Sequence, residues 1–509
     1  MKKSEKLVIS KKIEKELVKK DKNKKDKSSF KEVESDEAPK SSYGKGLDSP
    51  YLIPGFDLHE TLDAIEKKVG SSSTSMGANE KRMSTGVLAY DLILGGGITA
   101  GWYTNFGKEQ SCKSTGAMTF LSSALTQGIP IISYHDYEGS TSGEYVQNIL
   151  NTMGVDAKVE DVFGIRDRKG NYIKAPRVRY VSASTAESFF DYLASLERSL
   201  PDKIYEGDGW WYVYENTKPN RKKLADGGHE YDKKLFSTHN KFYVPAEDGR
   251  LQAILIVDSY PSMLPERLDE EDSNSGLGAV ARMFAEQLPR VKGKMRKKRI
   301  AVVGVNQVRD RPMVRFGNPE YEPCGQAIRF YSDARIKHMA RAVSAVKDAT
   351  QAEGGQEHEA SVEFPDSKDI YRYISIKAEK NKLSTPYLSG FIRLWITDGA
   401  GNARGFDPVF DTYEYLKATG QVSFGVMKRT KIVIKLHGQP PASKPIDWMD
   451  FKRLILGTKE EIKTICKKAG LSKPVRLRPF CFKQLQKGDG LDLYLENKKS
   501  GVAETASED

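Results

Sequence analysis

The chain has 509 residues, of which 38% are hydrophobic and 29% charged, and a formal net charge of +12 at pH 7. This length exceeds what one ordinary core supports, so we expect two or more domains with tails. No apolar run approaches the roughly 20 residues of a membrane span, and the amino terminus lacks the apolar stretch of a signal peptide. Four cysteines without a C-x-x-C pair argue against a disulfide scaffold and structural zinc, and fit a reducing compartment such as the cytoplasm.

The amino-terminal part is rich in lysine, serine and glutamate. Residues 1–30 hold 12 lysines against 5 acids, so more than half of the net charge lies there. We expect residues 1–45 to be a disordered basic tail, either a solvated extension or one that binds a polyanion. Within residues 46–83, Asp57 caps a predicted amphipathic helix, because apolar residues then recur at helical spacing at Leu58, Leu62, Ile65 and Val69. Such a single helix must pack on its own core or on a neighbouring subunit.

The most informative stretch follows a short predicted helix within residues 84–98. Trp102–Phe106 predicts a strand and Lys113–Thr126 a helix, and the turn between them has the phosphate-binding pattern G-x-x-x-x-G-K-[ST] with Cys112 in place of the second glycine. In such a loop backbone N–H groups face the phosphates, Lys113 supplies a charge, and Ser114 offers a hydroxyl to Mg²⁺. The candidate nucleotide-binding residues are Gly107, Lys108, Glu109, Gln110, Ser111, Cys112, Lys113, Ser114 and Thr115.

The next elements indicate a parallel sheet. A strand over Ile129–Ser133 leads to Glu138, and Val178–Ala183 and Ala186–Leu200 predict a further strand and helix. Strand, helix and strand in this order form a βαβ unit, so the predicted fold class is α/β with a mostly parallel central sheet. Glu138 then falls at the carboxyl end of its strand, where open α/β sheets have their ligand crevice.

Residues 202–250 interrupt this alternation with a polar, glycine-rich insertion, for which we predict a hairpin. It contains the aromatic run Trp210–Tyr214 beside Lys218 and Arg221–Lys223. Exposed aromatic side chains next to cations could stack on single-stranded bases. A small satellite core that stabilises the insertion is the interpretation that we favour.

After the insertion, Leu251–Ser259 is an apolar run that predicts a doubly buried parallel strand. Asp258 at its end is a natural partner for Mg²⁺, in the role of the Walker B aspartate. A helix over Gly278–Lys292 and a strand over Ile300–Val305 follow, and Arg309–Pro319 is predicted to be a loop.

The carboxyl-terminal part contains two patterns. Tyr373–Ala378 and Phe391–Ile396 alternate like antiparallel strands at a sheet edge. A proline-rich linker, Gln439–Pro445, introduces a small α+β domain, whose predicted helix Thr458–Ala469 begins with a capping box. We therefore predict a core over residues 84–435, a C-terminal domain over 436–500 and an acidic tail over 501–509.

These ordered blocks resemble RecA-type recombinases, with the bacterial RecA and bacteriophage UvsX-type proteins as nearest relatives. The narrowest part of the match is Asn306–Arg309 followed by Phe316–Pro319 and Gly325–Tyr331, which resembles the second DNA-binding loop of RecA. The resemblance implies a RecA-like P-loop ATPase core with an N-terminal polymerisation helix. It also implies a DNA-dependent ATPase that uses ATP and Mg²⁺.

The resemblance assigns roles to single residues. Glu138 matches the catalytic glutamate that activates water against the γ-phosphate, and Gln307 matches the residue that senses this phosphate and connects it to the DNA loop. Lys380 and Lys382 match lysines that reach the nucleotide of the neighbouring subunit. Tyr145 matches the aromatic residue that stacks on adenine, although core packing on its helix fits it nearly as well.

Contacts with DNA are also implied by the resemblance. Guanidiniums suit phosphates and an apolar wedge separates stacked bases, so we expect such contacts from Arg282, Arg309, Arg315 and Phe316. The first DNA loop, about Glu266–Gly276, is acidic and longer than the family pattern. The early helix and Phe330 resemble parts that join protomers, which implies an open helical filament on single-stranded DNA that pairs with double-stranded DNA. The expected location is the cytoplasm, that of the host if the protein is phage-encoded.

Two other classes of function stay open. A hexameric DNA helicase or motor shares the core, but helicase-type relatives lack the block Asn306–Tyr331. A DNA-binding paralogue without ATPase activity would explain Cys112, since glycine is usually chosen there for close backbone approach. The functional side chains of Lys113, Glu138 and Asp258 are nevertheless present.

Overall fold

The computed structural model describes residues 80–155, 157–182, 185–207, 209–233, 240–266, 276–310, 320–340, 370–397, 405–418, 422–425, 428–435, 440–471 and 473–477. The predicted basic tail, the helix from Asp57 and the acidic tail lie outside these residues, as do Arg315 and Phe316. The described residues all fall in one compact unit, Thr74–Asp509. The predicted domain boundaries within that unit stay predictions.

Helices and strands alternate along most of the chain. The helices are α1 (Leu88–Leu94), α2 (Lys113–Thr126), α3 (Gly143–Thr152), α4 (Val159–Phe163), α5 (Ala186–Ser199), α6 (Lys218–Asp226), α7 (Gly276–Lys297), α8 (Gly325–Tyr331), α9 (Pro408–Ala418), α10 (Trp448–Leu456) and α11 (Lys459–Ala469). The strands are β1 (Gly101–Gly107), β2 (Ile131–Asp136), β3 (Ile165–Arg166), β4 (Tyr172–Lys174), β5 (Arg179–Ser182), β6 (Asp202–Glu206), β7 (Gly209–Glu215), β8 (Lys241–Ala246), β9 (Ala253–Asp258), β10 (Ile300–Gln307), β11 (Arg309–Asp310), β12 (Glu320–Tyr321), β13 (Ala334–Ala340), β14 (Ile370–Asn381), β15 (Ser389–Thr397), β16 (Gly405–Phe406), β17 (Val422–Gly425) and β18 (Lys428–Ile434).

Nine of the described strands form one sheet, in the order β16-β15-β14-β13-β1-β10-β9-β2-β5. From β13 to β5 all neighbours are parallel, whereas β14, β15 and β16 each run antiparallel to their neighbours. The predicted α/β class with a mostly parallel central sheet is thus confirmed. The antiparallel pair predicted near the carboxyl terminus is also confirmed, with the short β16 at the edge beyond it.

Helices cover both faces of this sheet because its central strands are apolar on both sides. Every residue of β1 and of β9 is buried. Ile254 and Ile256 of β9 pack with α1, α2 and α3 in one hydrophobic cluster, whereas Leu255 and Val257 pack with α5 and α7 in another. The alternation of side chains along a strand therefore explains the continuous apolar run that the sequence shows here.

Most predicted boundaries agree with the structure to within a few residues. Helix α2 begins and ends as predicted, whereas β2 starts at Ile131 rather than Ile129 and continues to Asp136. Helix α7 runs to Lys297, past the predicted end at Lys292, with Pro289 inside it. The segment predicted to be a loop from Arg309 begins with β11, which pairs with β12.

The insertion is larger than the predicted hairpin. Strands β6, β7 and β8 form a three-stranded antiparallel sheet. Leu224 of α6 packs with Phe242 and Val244 in a separate core, and Tyr212 and Tyr214 lie against it. The aromatic run therefore packs within the protein, which supports a satellite core rather than a surface for stacking bases.

The C-terminal helices pack against the end of the central sheet. Residues of α10 and α11 share a hydrophobic cluster with Trp395 of β15 and Tyr413 of α9. The backbone N–H of Thr458 donates to Glu461 at 2.8 Å, and the N–H of Glu461 donates to the Thr458 hydroxyl at 3.3 Å. This confirms the predicted capping box. Across the part of the chain that the structure describes, every helix is too short or too polar to cross a membrane.

Candidate functional site

The register of the central sheet brings the predicted site residues to one edge. Gly107 at the end of β1 pairs with Gln307 at the end of β10. Asp136 at the end of β2 pairs with Asp258 at the end of β9. Since these four strands are parallel, the loops that follow them surround a common crevice.

The loop after β1 is closed by its own polar groups. The Ser111 hydroxyl donates to the Lys108 carbonyl at 2.7 Å, and Lys113 donates to the same carbonyl at 2.5 Å and to the Ser111 hydroxyl at 3.3 Å. Burial lowers the pKa of the Lys113 ammonium, whereas the carboxylates of Asp258 and Glu138 oppose this. The positive charge of Lys113 is thus held inside the loop, where phosphates would meet it.

Cys112 has a backbone conformation that explains why glycine is expected at its position. Its φ of 60° and ψ of 33° lie in the left-handed region, which glycine adopts readily and other residues adopt at a cost. The sequence therefore departs from the pattern at a residue where the backbone geometry itself favours glycine.

Beneath the loop lies a buried, hydrogen-bonded pair of side chains, His338 and Tyr90, for which the sequence gives no signal. Nδ1 of His338 is 3.2 Å from the Ser111 carbonyl, and Nε2 is 2.9 Å from the Tyr90 hydroxyl. A carbonyl only accepts, so Nδ1 carries the proton and Nε2 accepts from Tyr90. Burial lowers the pKa of His338 to about 3, so the ring is neutral. Local sequence patterns cannot predict these contacts because Ser111 and Tyr90 lie 227 and 248 residues before His338 in the sequence.

Asp258 and Ser114 fit the binding of Mg²⁺. Oδ2 of Asp258 accepts from the Tyr134 hydroxyl at 3.2 Å, whereas its buried Oδ1 has no hydrogen-bond partner among the described residues. The pKa of this carboxyl is raised to about 6, mainly by burial, although the nearby Ser114 hydroxyl acts in the opposite direction. A buried carboxylate oxygen without a donor, next to a hydroxyl, suits a hard cation that takes oxygen ligands.

Glu138 lies just beyond β2, and its carboxylate is oriented by two side chains. Its Oε1 accepts from the Ser259 hydroxyl at 2.6 Å and from the Gln307 amide at 3.3 Å. Oδ1 of Asp136 accepts from the backbone N–H groups of Glu138 and Gly139 at 3.1 and 2.8 Å. Asp136 and Ser259 are positioning residues that the sequence predictions missed. An aspartate two residues before a glutamate in a turn is a weak signal for the first of them.

A cleft of about 530 Å³ lies beside the loop, lined by residues 110–115, by Tyr145 and by Leu394 and Trp395 of β15. The Tyr145 hydroxyl hydrogen-bonds to that of Thr115, and its ring packs on the adjacent core. Tyr145 therefore both packs and lines the cleft, so the two interpretations of this residue are compatible. An aromatic wall next to a phosphate loop suits a purine base.

Lys380 and Lys382 are placed differently from the other candidates. Lys380 donates to the carbonyls of Phe330 and Arg329 at 2.5 and 2.8 Å, at the end of α8, and lies 5.8 Å from the centre of the Phe330 ring. Burial lowers its pKa to about 8, and the neighbouring charge of Lys382 acts in the same direction. Lys382 is exposed, and Phe330 is 70% exposed.

Two of the four predicted DNA-contact residues are described, and both are exposed. Arg282 lies on α7 and forms an ion pair with Glu286 at 3.0 Å. Arg309 lies in β11, which pairs with β12. Segment 311–319 connects these two strands in the sequence. That segment contains Arg315 and Phe316 and lies outside the described residues.

The block after β10 is joined to the loop after β1. The Val308 N–H donates to the Gly107 carbonyl at 2.9 Å, and Lys108 forms an ion pair with Asp310 at 3.0 Å. The ion pair is exposed and contributes little stability on its own. The contacts nevertheless place the two candidate regions side by side.

The fold and this geometry define a mixed α/β protein with a P-loop-type motif at the carboxyl edge of its parallel strands. Residues 247–399 match the family model of the RecA N-terminal domain. Protein RecA of Mycoplasma mobile is 31% identical over 147 residues, which is 29% of this chain and 39% of that protein. Protein RecA of Aquifex aeolicus is 33% identical over 135 residues, or 26% of this chain and 34% of that protein.

A longer but weaker match extends over most of the chain. Protein RecA of Thermus thermophilus is 24% identical over 373 residues, which is 72% of this chain and 81% of that protein. Among solved structures, a crystal structure of the RadB recombinase covers 62% of this chain and 97% of its own, with 16% identity and a TM-score of 0.35. The matches with identity above 30% thus span about a third to two fifths of the length of those relatives. The chain is thus similar to the RecA N-terminal domain over residues 247–399 and, at lower identity, to RecA proteins over most of its length.

Proposed function

We propose that the protein is an ATP-dependent DNA recombinase, which forms helical filaments on single-stranded DNA and exchanges strands with homologous duplex DNA. The contact between Gln307 and Glu138 carries this proposal. It joins the proposed catalytic carboxylate to the strand that leads into the block resembling the DNA-binding loop of RecA. A nucleotide site coupled to DNA is what a recombinase requires.

The placement of the side chains supports ATP hydrolysis as the reaction. The loop N–H groups and Lys113 would bind the β- and γ-phosphates, and Ser114 and Asp258 would hold Mg²⁺, which neutralises phosphate charge. Glu138 would orient a water molecule and accept its proton, because Ser259 and Gln307 fix the direction of the carboxylate. The water oxygen bonds to the γ-phosphorus while the bond to the bridging oxygen of the leaving ADP breaks.

Coupling to DNA would run through Gln307. Its amide donates to Glu138, and a γ-phosphate oxygen is a competing acceptor for the same N–H. The end of β10, and with it the block that carries Arg309, would then respond to the nucleotide. By reciprocity, DNA bound to that block changes nucleotide affinity by the same factor.

Assembly would complete the site. Phe330 is exposed next to Lys380, and a neighbouring subunit that covers this ring would bring both lysines close to its own nucleotide. Cations supplied from a neighbour stabilise the charge of a transferring phosphoryl group. The contact is head-to-tail, which generates an open helix unless the rotation closes a ring.

Two measurements test the proposal. ATP hydrolysis is followed with and without single-stranded DNA for the wild type, for Lys113→Ala, and for Lys467→Ala, which removes an exposed lysine of α11. We expect DNA-stimulated hydrolysis in the wild type and the control and none in Lys113→Ala; full stimulated activity in Lys113→Ala contradicts the assignment. Electron micrographs with single-stranded DNA and a slowly hydrolysed ATP analogue should show extended helical filaments, whereas closed six-membered rings would favour a DNA motor.

A further inference from the structure

A cationic surface at the edge of the central sheet contains none of the residues to which a role has been given above. It consists of the β3–β4 hairpin and the start of β5. Between Gly164 and Arg179 the sequence has one acid, Asp167, against six cations, all exposed, which are Arg166, Arg168, Lys169, Lys174, Arg177 and Arg179. The Asp167 carboxylate accepts from the backbone N–H groups of Lys169 and Asn171 at 2.8 Å each, so it is used to close the turn.

Three of the six cations have defined side-chain contacts. The Arg166 guanidinium lies 4.3 Å from the centre of the Tyr172 ring and donates to the Tyr172 hydroxyl at 2.6 Å. The Arg179 guanidinium lies 5.0 Å from the centre of the same ring. Lys174 forms an ion pair with Asp161 of the preceding helix. These contacts anchor the base of the hairpin, from which Arg168 and Lys169 extend at the turn.

A dense, anchored set of cations recognises a polyanion. Single-stranded nucleic acid is bound by open aromatic faces on which bases stack. Here Tyr172 is already covered by guanidiniums, and Tyr180 stacks with Tyr134 at 6.0 Å and 28°. The surface thus offers many charges, and its two tyrosine rings are already in contact with other side chains, which suits the phosphate backbone of a duplex.

The position of this surface separates it from the other candidate DNA contacts. Strand β5 is the edge strand, and β2 and β9 lie between it and β10. Three strand spacings, about 14 Å, therefore separate β5, which carries Arg179, from β10. A recombinase has to hold two DNA molecules, and two separate surfaces allow this.

We propose that the β3–β4 hairpin is a second DNA-binding surface, which contacts the phosphate backbone of duplex DNA. The identity of the polyanion rests on the proposed function, whereas the surface itself rests on the charges and contacts above. Arg168 and Lys169 are the residues to change, because both are exposed and their side chains lie at the turn.

The test uses the full chain and a short fluorescein-labelled duplex, with anisotropy measured over a series of salt concentrations. The variant Arg168→Glu/Lys169→Glu is compared with Lys222→Glu/Lys223→Glu, which makes the same charge change on exposed residues of α6. We expect the hairpin variant to bind the duplex at least about tenfold more weakly. The slope of its log affinity against log salt concentration should become shallower by the amount that about two lost phosphate contacts produce. The α6 variant should behave as the wild type.

DNA-stimulated hydrolysis, measured with single-stranded DNA, separates the two proposals. If the hairpin variant keeps this activity and loses duplex affinity, the second surface is supported. If the wild type shows no stimulated hydrolysis but the hairpin variant still loses duplex affinity, the recombinase assignment fails while the surface stands. Unchanged duplex affinity in the hairpin variant, or an equal loss in the α6 variant, overturns the inference.

Discussion

Replacement of His338 tests how the phosphate loop is supported. His338→Phe keeps an aromatic ring of similar size in a fully buried place, and removes both ring nitrogens. The Ser111 carbonyl then loses its donor and the Tyr90 hydroxyl loses its acceptor. The variant therefore isolates the polar contacts of His338 from its packing.

The magnitude follows from these two losses. Leaving a buried polar group unpaired costs about 1–3 kcal/mol, so we expect His338→Phe, which leaves two such groups, to lower the free energy of unfolding by about 2–6 kcal/mol. Tyr90→Phe leaves only Nε2 of His338 unpaired and should lower it by about 1–3 kcal/mol. In the double variant both partners of the Tyr90–His338 bond are gone, so its cost should be smaller than the sum of the single costs by about 1 kcal/mol.

The difference in free energy of unfolding between the wild type and His338→Phe should depend on pH, with a defined sign. The pKa of His338 is about 3 in the folded chain against an ordinary value of 6.5. The unfolded chain therefore binds the proton first, and the wild type loses stability as the pH falls below about 6.5. His338→Phe lacks this titration, so its deficit relative to the wild type should shrink by about 1.4 kcal/mol per pH unit below that value. Above pH 7 the deficit should be constant.

Chemical unfolding of the full chain at several pH values measures both quantities, and binding of a Mg²⁺–ATP analogue reports on the loop. We expect weaker nucleotide binding in His338→Phe because Ser111 belongs to the candidate loop. A deficit under about 0.5 kcal/mol at pH 7.5, within the range of ordinary surface substitutions, would refute the reasoning. So would a deficit that does not change between pH 7 and pH 5.

Three further predictions concern single residues. Glu138→Gln should lower ATP hydrolysis by at least about 100-fold while nucleotide binding persists, whereas Glu160→Gln, an exposed carboxylate on α4, should leave turnover unchanged; equal rates in Glu138→Gln and wild type would remove its catalytic role. Cys112→Gly should raise the free energy of unfolding by about 1 kcal/mol because the left-handed conformation suits glycine, and Cys112→Ala, which keeps Cβ, should show no gain. Thr458→Ala should lower the free energy of unfolding by about 1 kcal/mol, because α11 loses its cap. Thr458→Ser keeps the hydroxyl that accepts from Glu461 and should lower it less, and equal losses in the two variants would count against the capping box.

Local patterns predict the parts of this molecule that local chemistry determines. The run Leu251–Ser259 indicates a doubly buried strand because its apolar residues face both layers. The loop before α2 is recognised from residue types within one turn of chain. The capping box at Thr458 is likewise a relation between residues three apart. The fold class follows, because alternating strands and helices leave few arrangements.

Contacts between distant segments are what the sequence could not predict. Ser259 and Gln307 reach Glu138 across 121 and 169 residues. The insertion was recognised by its composition, but its third strand depends on pairing between β7 and β8, which have α6 between them. Serine, histidine and aspartate at such places look like ordinary core or turn residues until the sheet register is known.

The cysteine at position 112 and the buried pair His338–Tyr90 concern adjacent residues of the phosphate loop. A glycine at that position would adopt the left-handed backbone without strain, whereas Cys112 adopts it only where surrounding structure imposes it. The His338 N–H holds the carbonyl of the preceding residue, Ser111, and Tyr90 fixes the imidazole that donates it. A contact from β13 thus holds the residue that precedes Cys112, so the phosphate loop here depends on tertiary structure more than its motif suggests. We therefore expect Cys112→Gly to restore part of the nucleotide affinity that His338→Phe loses, whereas independent effects would simply add.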